Sequence, residues 1–182
     1  MNKNINGSLG GRLKQARSHK GWSLDRAGAE TGVSKAMLGQ IERGESSPTI
    51  VRLWSIANGF ELPLSYFLTD LEVTKTPDLM KNEESDIEVV TLFPFDKETG
   101  METFQIILAP GREYLSAPHN KGVIEHIIVV SGSMEYFLNK RWKHLAEGQV
   151  VKFGANRQHG YRNLSQSPTK IHNIICYKSL DR

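Results

Sequence analysis

Apolar residues recur at helical spacing over roughly the first third of the chain and at alternate positions beyond it, so the change of period divides the sequence into an α-helical head and a β-rich body. In the head, Leu9, Leu13 and Ala16 lie among basic residues and predict a helix over Leu9–His19, which Gly21 stops. A second helix is expected after Ser23, a good N-cap that follows Trp22, with Asp25 in the first turn where the helix dipole favours an anion. The stretch TGVS at 31–34 interrupts it with a glycine suited to left-handed backbone, and Ser34 then caps a third helix reaching Arg43 before Gly44 ends it. Ser47 followed by Pro48 reads as an N-cap with proline at the first helical position, which opens a fourth helix to about Asn58; Pro63–Leu68 supplies a short fifth.

Residues 69–86 show little apolar periodicity and read as a linker. After them come short runs of β type separated by turn residues: IEVVTLF, METFQIIL, EYLS, IEHIIVV, SMEYFL, RWKHL, QVVKF, HGYRN and KIHNIICY. Strands at this spacing predict an all-β barrel or sandwich. The expected organisation is a head at 1–68, a linker at 69–86 and a body at 87–182.

At 182 residues, with 38% hydrophobic and 24% charged side chains, the chain has room for two small packed domains. No run approaches the ~20 apolar residues of a membrane helix, and MNKNINGSLG lacks the apolar core of a secretory signal. A cytoplasmic location is therefore expected. The single cysteine, Cys176, agrees with a reducing compartment and reads as a small core hydrophobe. The net charge of +3 is unevenly spread: residues 1–68 carry nine Lys and Arg against five Asp and Glu, whereas residues 69–87 carry two against six. A basic head behind an acidic strap makes the head the part that meets a polyanion, although the same charge also serves plain solubility.

Two short helices joined at Gly32 would bury Leu24, Ala27, Val33, Leu38 and Ile41, leaving Lys35, Ala36, Gly39, Gln40 and Arg43 on the opposite face with Met37 at its margin. A helix presenting short, amide and cationic side chains beyond a fixed turn can enter a major groove, where Gln pairs with adenine and Lys or Arg with guanine or phosphate. An ordinary helical hairpin with a solvated face shares this pattern. The residues GVS at 32–34, Leu38, Ile41 and IERGESSP at 41–48 resemble the turn, helix core and following loop of the Xre-family helix-turn-helix, and the likeness spans about residues 9–68. Departures are Ala27 for a usual Leu, Gly28 for a usual Ala, and Leu24 for a frequent Gln, which removes a phosphate contact. The resemblance implies a five-helix all-α domain that binds double-stranded operator DNA as a homodimer, with Arg17 paired to Glu42. It also implies a DNA-contacting set of Ser34, Lys35, Ala36, Gln40, Arg43, Ser46 and Ser47. Lys35, Ala36 and Gln40 would face base edges; Arg43, Ser46, Ser47 and the amides opening the fourth helix would hold phosphates.

In the body, HNKGVIEHIIVVSG at 119–132 sets two histidines and a glutamate ahead of an apolar run. Read as extended chain, it projects His119, Lys121 and Glu125 to one face, above Ile127 and Val129. Because Ile127 to Val130 is apolar on both faces, a second sheet or a second subunit should cover it. Downstream, GQVVKFGANRQHGYRN adds His159. These segments resemble the two cupin motifs, with His119, Glu125 and Gly132 matching the first and Gly148, His159 and Asn163 the second, over about residues 87–178. The resemblance implies an all-β cupin barrel, a double-stranded β-helix. Lys121 stands where most metal cupins have a second histidine, and Gly154 and Asn156 replace a usual proline and glycine. A protonated lysine has no lone pair for a metal. His119, Glu125 and His159 remain, the composition of an open zinc or ferrous iron site; the other reading is a pocket that has lost its metal.

Two functions fit these features. One is a transcriptional regulator whose body senses a small molecule at His119, Lys121, Glu125 and His159; the other is a metal-dependent cupin oxygenase or isomerase with an accessory DNA-binding head. The lost ligand and the operator-binding head favour the regulator over any catalysis. GWSLDRAGAETGVSKAMLGQIERGESSPT, LFPFD and PHNKGVIEHIIVVSG further resemble the subgroup of Xre–cupin regulators associated with sulfur utilisation, which implies a sulfur-containing metabolite or amino acid as effector. Met134, Tyr136, Phe153 and Cys176 are candidates for a soft apolar wall around it, or for ordinary barrel core.

Overall fold

The computed structural model describes residues 9–68 and 87–177; the expected linker at 69–86 lies outside the described residues. The chain divides into two compact units, Met1–Thr76 and Pro77–Arg182.

Among the described residues, the first unit holds five helices: α1 (Leu9–His19), α2 (Leu24–Thr31), α3 (Lys35–Glu42), α4 (Ile50–Phe60) and α5 (Ser65–Leu68). Leu13, Ala27, Val33, Leu38, Ile41, Leu53, Ile56 and Phe60 form its core, each at most 2% exposed. Ser23 and Ser34 cap α2 and α3 as their sequence predicts, and Gly32 between them is left-handed at φ 68°. Gly10 sets the approach of α1 to α3, since a Cβ there would lie 2.3 Å from the Ile41 carbonyl oxygen. The fourth helix differs from expectation at both ends. Thr49, not Ser47, is its N-cap, accepting from the Arg52 amide, so Pro48 precedes the helix instead of opening it. It continues past Asn58 because Gly59 permits close contact with α2, where a Cβ would meet the Glu30 carbonyl at 2.7 Å, and because Phe60 is fully buried.

Among the described residues, the second unit contains nine strands in two antiparallel sheets, ordered β1-β2-β9-β4-β7 and β3-β8-β5-β6. They are β1 (Ile87–Asp96), β2 (Met101–Leu108), β3 (Glu113–Ser116), β4 (Ile124–Ser131), β5 (Ser133–Leu138), β6 (Arg141–Ala146), β7 (Val150–Gly154), β8 (His159–Arg162) and β9 (Thr169–Cys176). Alternation of buried and partly exposed residues runs the length of β2 and β9, as the period-2 pattern requires. Edge strand β1 runs three residues beyond its expected end, through Pro94, which an edge tolerates, with register shifts on either side of Phe93. The inward residues Phe104, Ile106, Leu108, Ile127, Val129, Met134, Tyr161, Ile171 and Ile175 make the core. On β4, Ile127 and Val129 fill that core, while Ile128 and Val130 on the other face remain 36% and 38% exposed.

Candidate functional site

The helical unit presents the face expected of a groove reader. Lys35, Ala36, Gln40, Arg43 and Ser47 are exposed and Ser46 is half-buried, at the start of α3, along it, and in the loop that follows. Gly39 lies on the Arg43 side of α3 as expected but is buried: a Cβ there would sit 3.1 Å from Arg43 Nη1 and 3.7 Å from Leu24 Cδ1. Leu24, expected in the core, is only half-buried. Arg17 donates from Nε and Nη2 to the two carboxylate oxygens of Glu42 at 2.6 and 2.8 Å, and from Nη1 to the Trp22 carbonyl, tying α1 to the end of α3. This carboxylate raises the Arg17 pKa: its hydrogen bond outweighs partial burial, and its charge adds to the effect. On the outer face Lys35 pairs with Asp25 at 2.8 Å and Arg43 with Glu45 at 2.7 Å, so both cations are held by exposed carboxylates that a phosphate can displace.

In the β unit, β4 aims Glu125 inward and β8 aims His159 inward from the facing sheet; His119 comes from the loop ahead of β4. The expected extended run from 119 to 125 is not formed. Lys121 and Gly122 make a turn, Gly122 with φ 96°, and the loop is fixed by the His119 amide on the Ala155 carbonyl and the Ala155 amide on the Val123 carbonyl. His119 reaches the interior through this loop, and Lys121 lies exposed in the turn, apart from the buried histidines and glutamate. Gly160 holds β8 against β3; a Cβ there would be 2.4 Å from the Tyr114 carbonyl oxygen.

The imidazole Nε2 atoms of His119 and His159 stand 2.9 and 3.2 Å from Glu125 Oε1, and the three ligand atoms lie within 4.8 Å of one another, all buried. The second carboxylate oxygen, Oε2, accepts from the Tyr161 hydroxyl and from Asn173 Nδ2 at 3.2 Å. His159 Nδ1 lies 2.9 Å from the Arg157 carbonyl, which fixes that nitrogen as a donor and turns Nε2 toward Glu125. With Nδ1 protonated, Nε2 opposite a carboxylate oxygen needs either its own proton or a cation between them. Burial acts to raise the Glu125 pKa, but hydrogen bonds from His119 and His159, and their charge, hold it well below the usual carboxylate range. Burial acts to lower the His159 pKa, and Glu125 more than reverses it, leaving it raised. Burial and then Glu125 push the Tyr161 phenol far up, so it stays a neutral donor. Two imidazoles and a carboxylate, buried, convergent and oriented from behind by Arg157, Tyr161 and Asn173, have the donor chemistry of a divalent zinc or iron centre.

Tyr161 and Asn173 are absent from the residues expected at this site, although each lies on the inward parity of its strand. Asn163, matched to the second motif, is fully buried and serves the fold: its Nδ2 donates to the Leu108 and Ser167 carbonyls, and its Oδ1 accepts from Ser165. Of the apolar wall, Tyr136 and Phe153 stack with centroids 6.2 Å apart, Phe153 lies 5.5 Å from His159, and Met134 is buried. Cys176 does not join them. It is opposite Ile124 in register, on the outer face of the sheet, half-buried, with its sulfur 3.6 Å from His126 Nδ1.

Known proteins match both units. The helix-turn-helix profile covers residues 13–67 and the cupin domain profile residues 104–175. The HTH-type transcriptional regulator SutR of Escherichia coli (strain K12) is 42% identical over 165 residues, 91% of this chain and 92% of that protein. The regulator PuuR of the same organism is 25% identical over 89% of this chain and 91% of its own. The crystal structure of an HTH_3 family transcriptional regulator from Vibrio cholerae superposes with a TM-score of 0.84 at 38% identity, covering 96% of this chain and 97% of the other. The cupin domain of an XRE family regulator from Enterobacter cloacae, 40% identical, covers 52% of this chain and 99% of its own with a TM-score of 0.51. By sequence and by fold, the chain belongs to the family of helix-turn-helix transcriptional regulators that carry a cupin domain.

Proposed function

We propose that this DNA-binding regulator acts as a cytoplasmic homodimer on an inverted repeat, and that its cupin domain senses a small molecule at a divalent metal, zinc or iron, held by His119, Glu125 and His159. The observation that carries the sensory reading is the convergence of those three buried ligand atoms within 4.8 Å, supported from behind by Tyr161, Asn173 and the Arg157 carbonyl. Three protein ligands leave coordination positions for the effector, proposed from the subgroup resemblance to be a sulfur-containing metabolite or amino acid. Lys121, exposed in the turn, is proposed to contact an effector carboxylate. Ser34, Lys35, Ala36, Gln40, Arg43, Ser46 and Ser47 make the DNA contact, on a head of residues 1–68 joined by a 69–86 linker to the sensor at 87–182. Ile128, Val130 and Val150, exposed together on the outer face of the five-stranded sheet, support a second subunit as the cover that β4 needs. The pocket binds its ligand and does not transform it.

Elemental analysis of protein purified without an affinity tag or added metal, with mass spectrometry of co-purified small molecules, tests the sensor. Stoichiometric zinc or iron that His159→Ala loses supports it. Metal in equal amount in the variant refutes the site, and turnover of a bound molecule by the pure protein refutes the non-catalytic reading.

A further inference from the structure

Among the described buried side chains, Asn173 Oδ1 and Thr91 Oγ1 have no hydrogen-bond partner, and Asn173 is the one beside the histidine and glutamate cluster. The Asn173 side chain is 0% exposed and projects inward from β9, with Ile127 and Phe104 as its flanking partners in register. Its orientation is forced. Nδ2 donates to Glu125 Oε2 at 3.2 Å, and rotating the amide would put Oδ1 against the carboxylate, oxygen to oxygen. The carbonyl end is therefore held away from Glu125 with its lone pairs unmet, a costly state for a buried acceptor.

We infer that Asn173 Oδ1 is the acceptor for the primary ammonium group of an amino acid read by the cupin domain; this rests on the sensory function proposed above. The donor inventory around the site selects that chemistry. The Tyr161 hydroxyl and Asn173 Nδ2 are both committed to Glu125 Oε2, and the two imidazole Nε2 atoms face Oε1. A ligand hydroxyl or a water would satisfy Oδ1 but bring lone pairs that find no uncommitted donor among these groups. An ammonium brings donors alone. The amino acid's carboxylate is left for the metal proposed at His119, Glu125 and His159. Asn173 thus discriminates amino acids from the corresponding acids that lack nitrogen, as a site built to hydrogen-bond one substituent rejects the analogue without it.

The test uses full-length, zinc-loaded protein in thermal-shift and calorimetric titrations with each common amino acid and with the des-amino carboxylic acid of any that binds. At least one amino acid should bind, its des-amino counterpart should bind at least about tenfold more weakly, and Asn173→Leu, close in size, should reduce the amino acid to its counterpart's affinity. Binding by no amino acid overturns the inference, as does equal affinity of wild-type protein for an amino acid and its des-amino acid. That wild-type comparison decides the matter even if Asn173→Leu does not fold. Full discrimination retained by a folded Asn173→Leu assigns Oδ1 to a structural water and also overturns it. Operator binding measured on the same preparations separates these outcomes from a failure of the regulator itself.

Discussion

Arg17 and Glu42 form a two-point ion pair, 2.6 and 2.8 Å, between helices that are not neighbours in sequence, and side-chain exposures of 17% and 8% shield it from solvent. Planar, bidentate and partly buried, it has the geometry in which an ion pair fixes angle as well as adding stability. Arg17→Met should lower the stability of the helical unit by about 1.5–3 kcal/mol, the range for hydrogen bonds to charged groups. Urea denaturation followed by helical circular dichroism measures this. Because the pair sets the end of α3, operator affinity should fall as well. A variant with unchanged stability would make the contact a surface ornament.

Gln40 and Arg43 should fail in different ways. Gln40 is exposed on α3 with an amide able to read a base edge, so Gln40→Ala should cost about 1–3 kcal/mol of discrimination between operator and random duplex while leaving non-specific affinity nearly intact. Arg43 must leave Glu45 to hold a phosphate, so Arg43→Ala should weaken all sequences alike and reduce the salt slope by about 1. Gel-shift titrations at several salt concentrations separate the two effects; equal effects would contradict the division.

Much of this was legible from local chemistry. The caps Ser23 and Ser34, the left-handed Gly32 and the alternation in β2 and β9 are short-range signals, and the elements follow them closely. The convergence of His119, Glu125 and His159 was legible too, because residue type survives even when its path is misread. The path was not. A period-2 reading cannot tell a strand from the loop that carries His119 and turns Lys121 outward, since that loop is fixed by amides pairing with residues 123 and 155. Tyr161 and Asn173 were missed for a related reason: their role depends on β8 lying in the sheet opposite β4 and on β9 pairing beside β4, which no single stretch of sequence encodes. The end of the fourth helix was set short because the contact of Gly59 with α2, invisible to periodicity, decides how far it packs.

The buried cluster predicts a stability profile whose slope depends on metal. Glu125 is held below its ordinary pKa, so its contribution is present above about pH 4.3 and lost as pH falls through the folded value. His159 is held above its ordinary pKa, so its contribution is full below about pH 6.5 and lost as pH rises through the folded value. Metal-free protein should be most stable in the cluster's terms between about pH 5 and 6.5 and weaken toward alkaline pH. Zinc requires neutral imidazoles, so its stabilisation should grow over the range where the proton's is lost. Thermal melts in chelator and in zinc should diverge as pH rises; parallel curves would show that no metal replaces the proton.

His159→Ala removes an imidazole that is 1% exposed and 3.2 Å from Glu125, and on the proposed metal site it should abolish metal binding and effector response together. Operator affinity of the effector-free protein should stay within about twofold, because a substitution in the sensor alters DNA binding only through the differential affinity of the effector for two states of the protein. Fluorescence anisotropy on labelled operator, with and without effector, reads both. A variant that still responds normally would place sensing elsewhere.

Lys121→His restores the residue type usual in metal cupins, and the structure argues that this alone should not restore a fourth ligand. Position 121 is exposed at the tip of a turn whose next residue, Gly122, has φ 96°, and the backbone on either side is tied to Ala155 through the His119 amide and the Val123 carbonyl. Bringing an imidazole at 121 into the buried cluster would require breaking those two hydrogen bonds, at about 0.5–1.5 kcal/mol each, and rebuilding the turn as strand. Zinc affinity of Lys121→His should therefore lie within about tenfold of wild type. Replacing the turn itself is what would convert the site: a variant carrying both Lys121→His and Gly122→Val, which disfavours the positive φ, should bind metal more tightly than either single change. Calorimetric zinc titration of the three variants distinguishes the cases. A large gain from Lys121→His by itself would mean that the turn gives way easily and that side-chain identity, not backbone path, removed the fourth ligand.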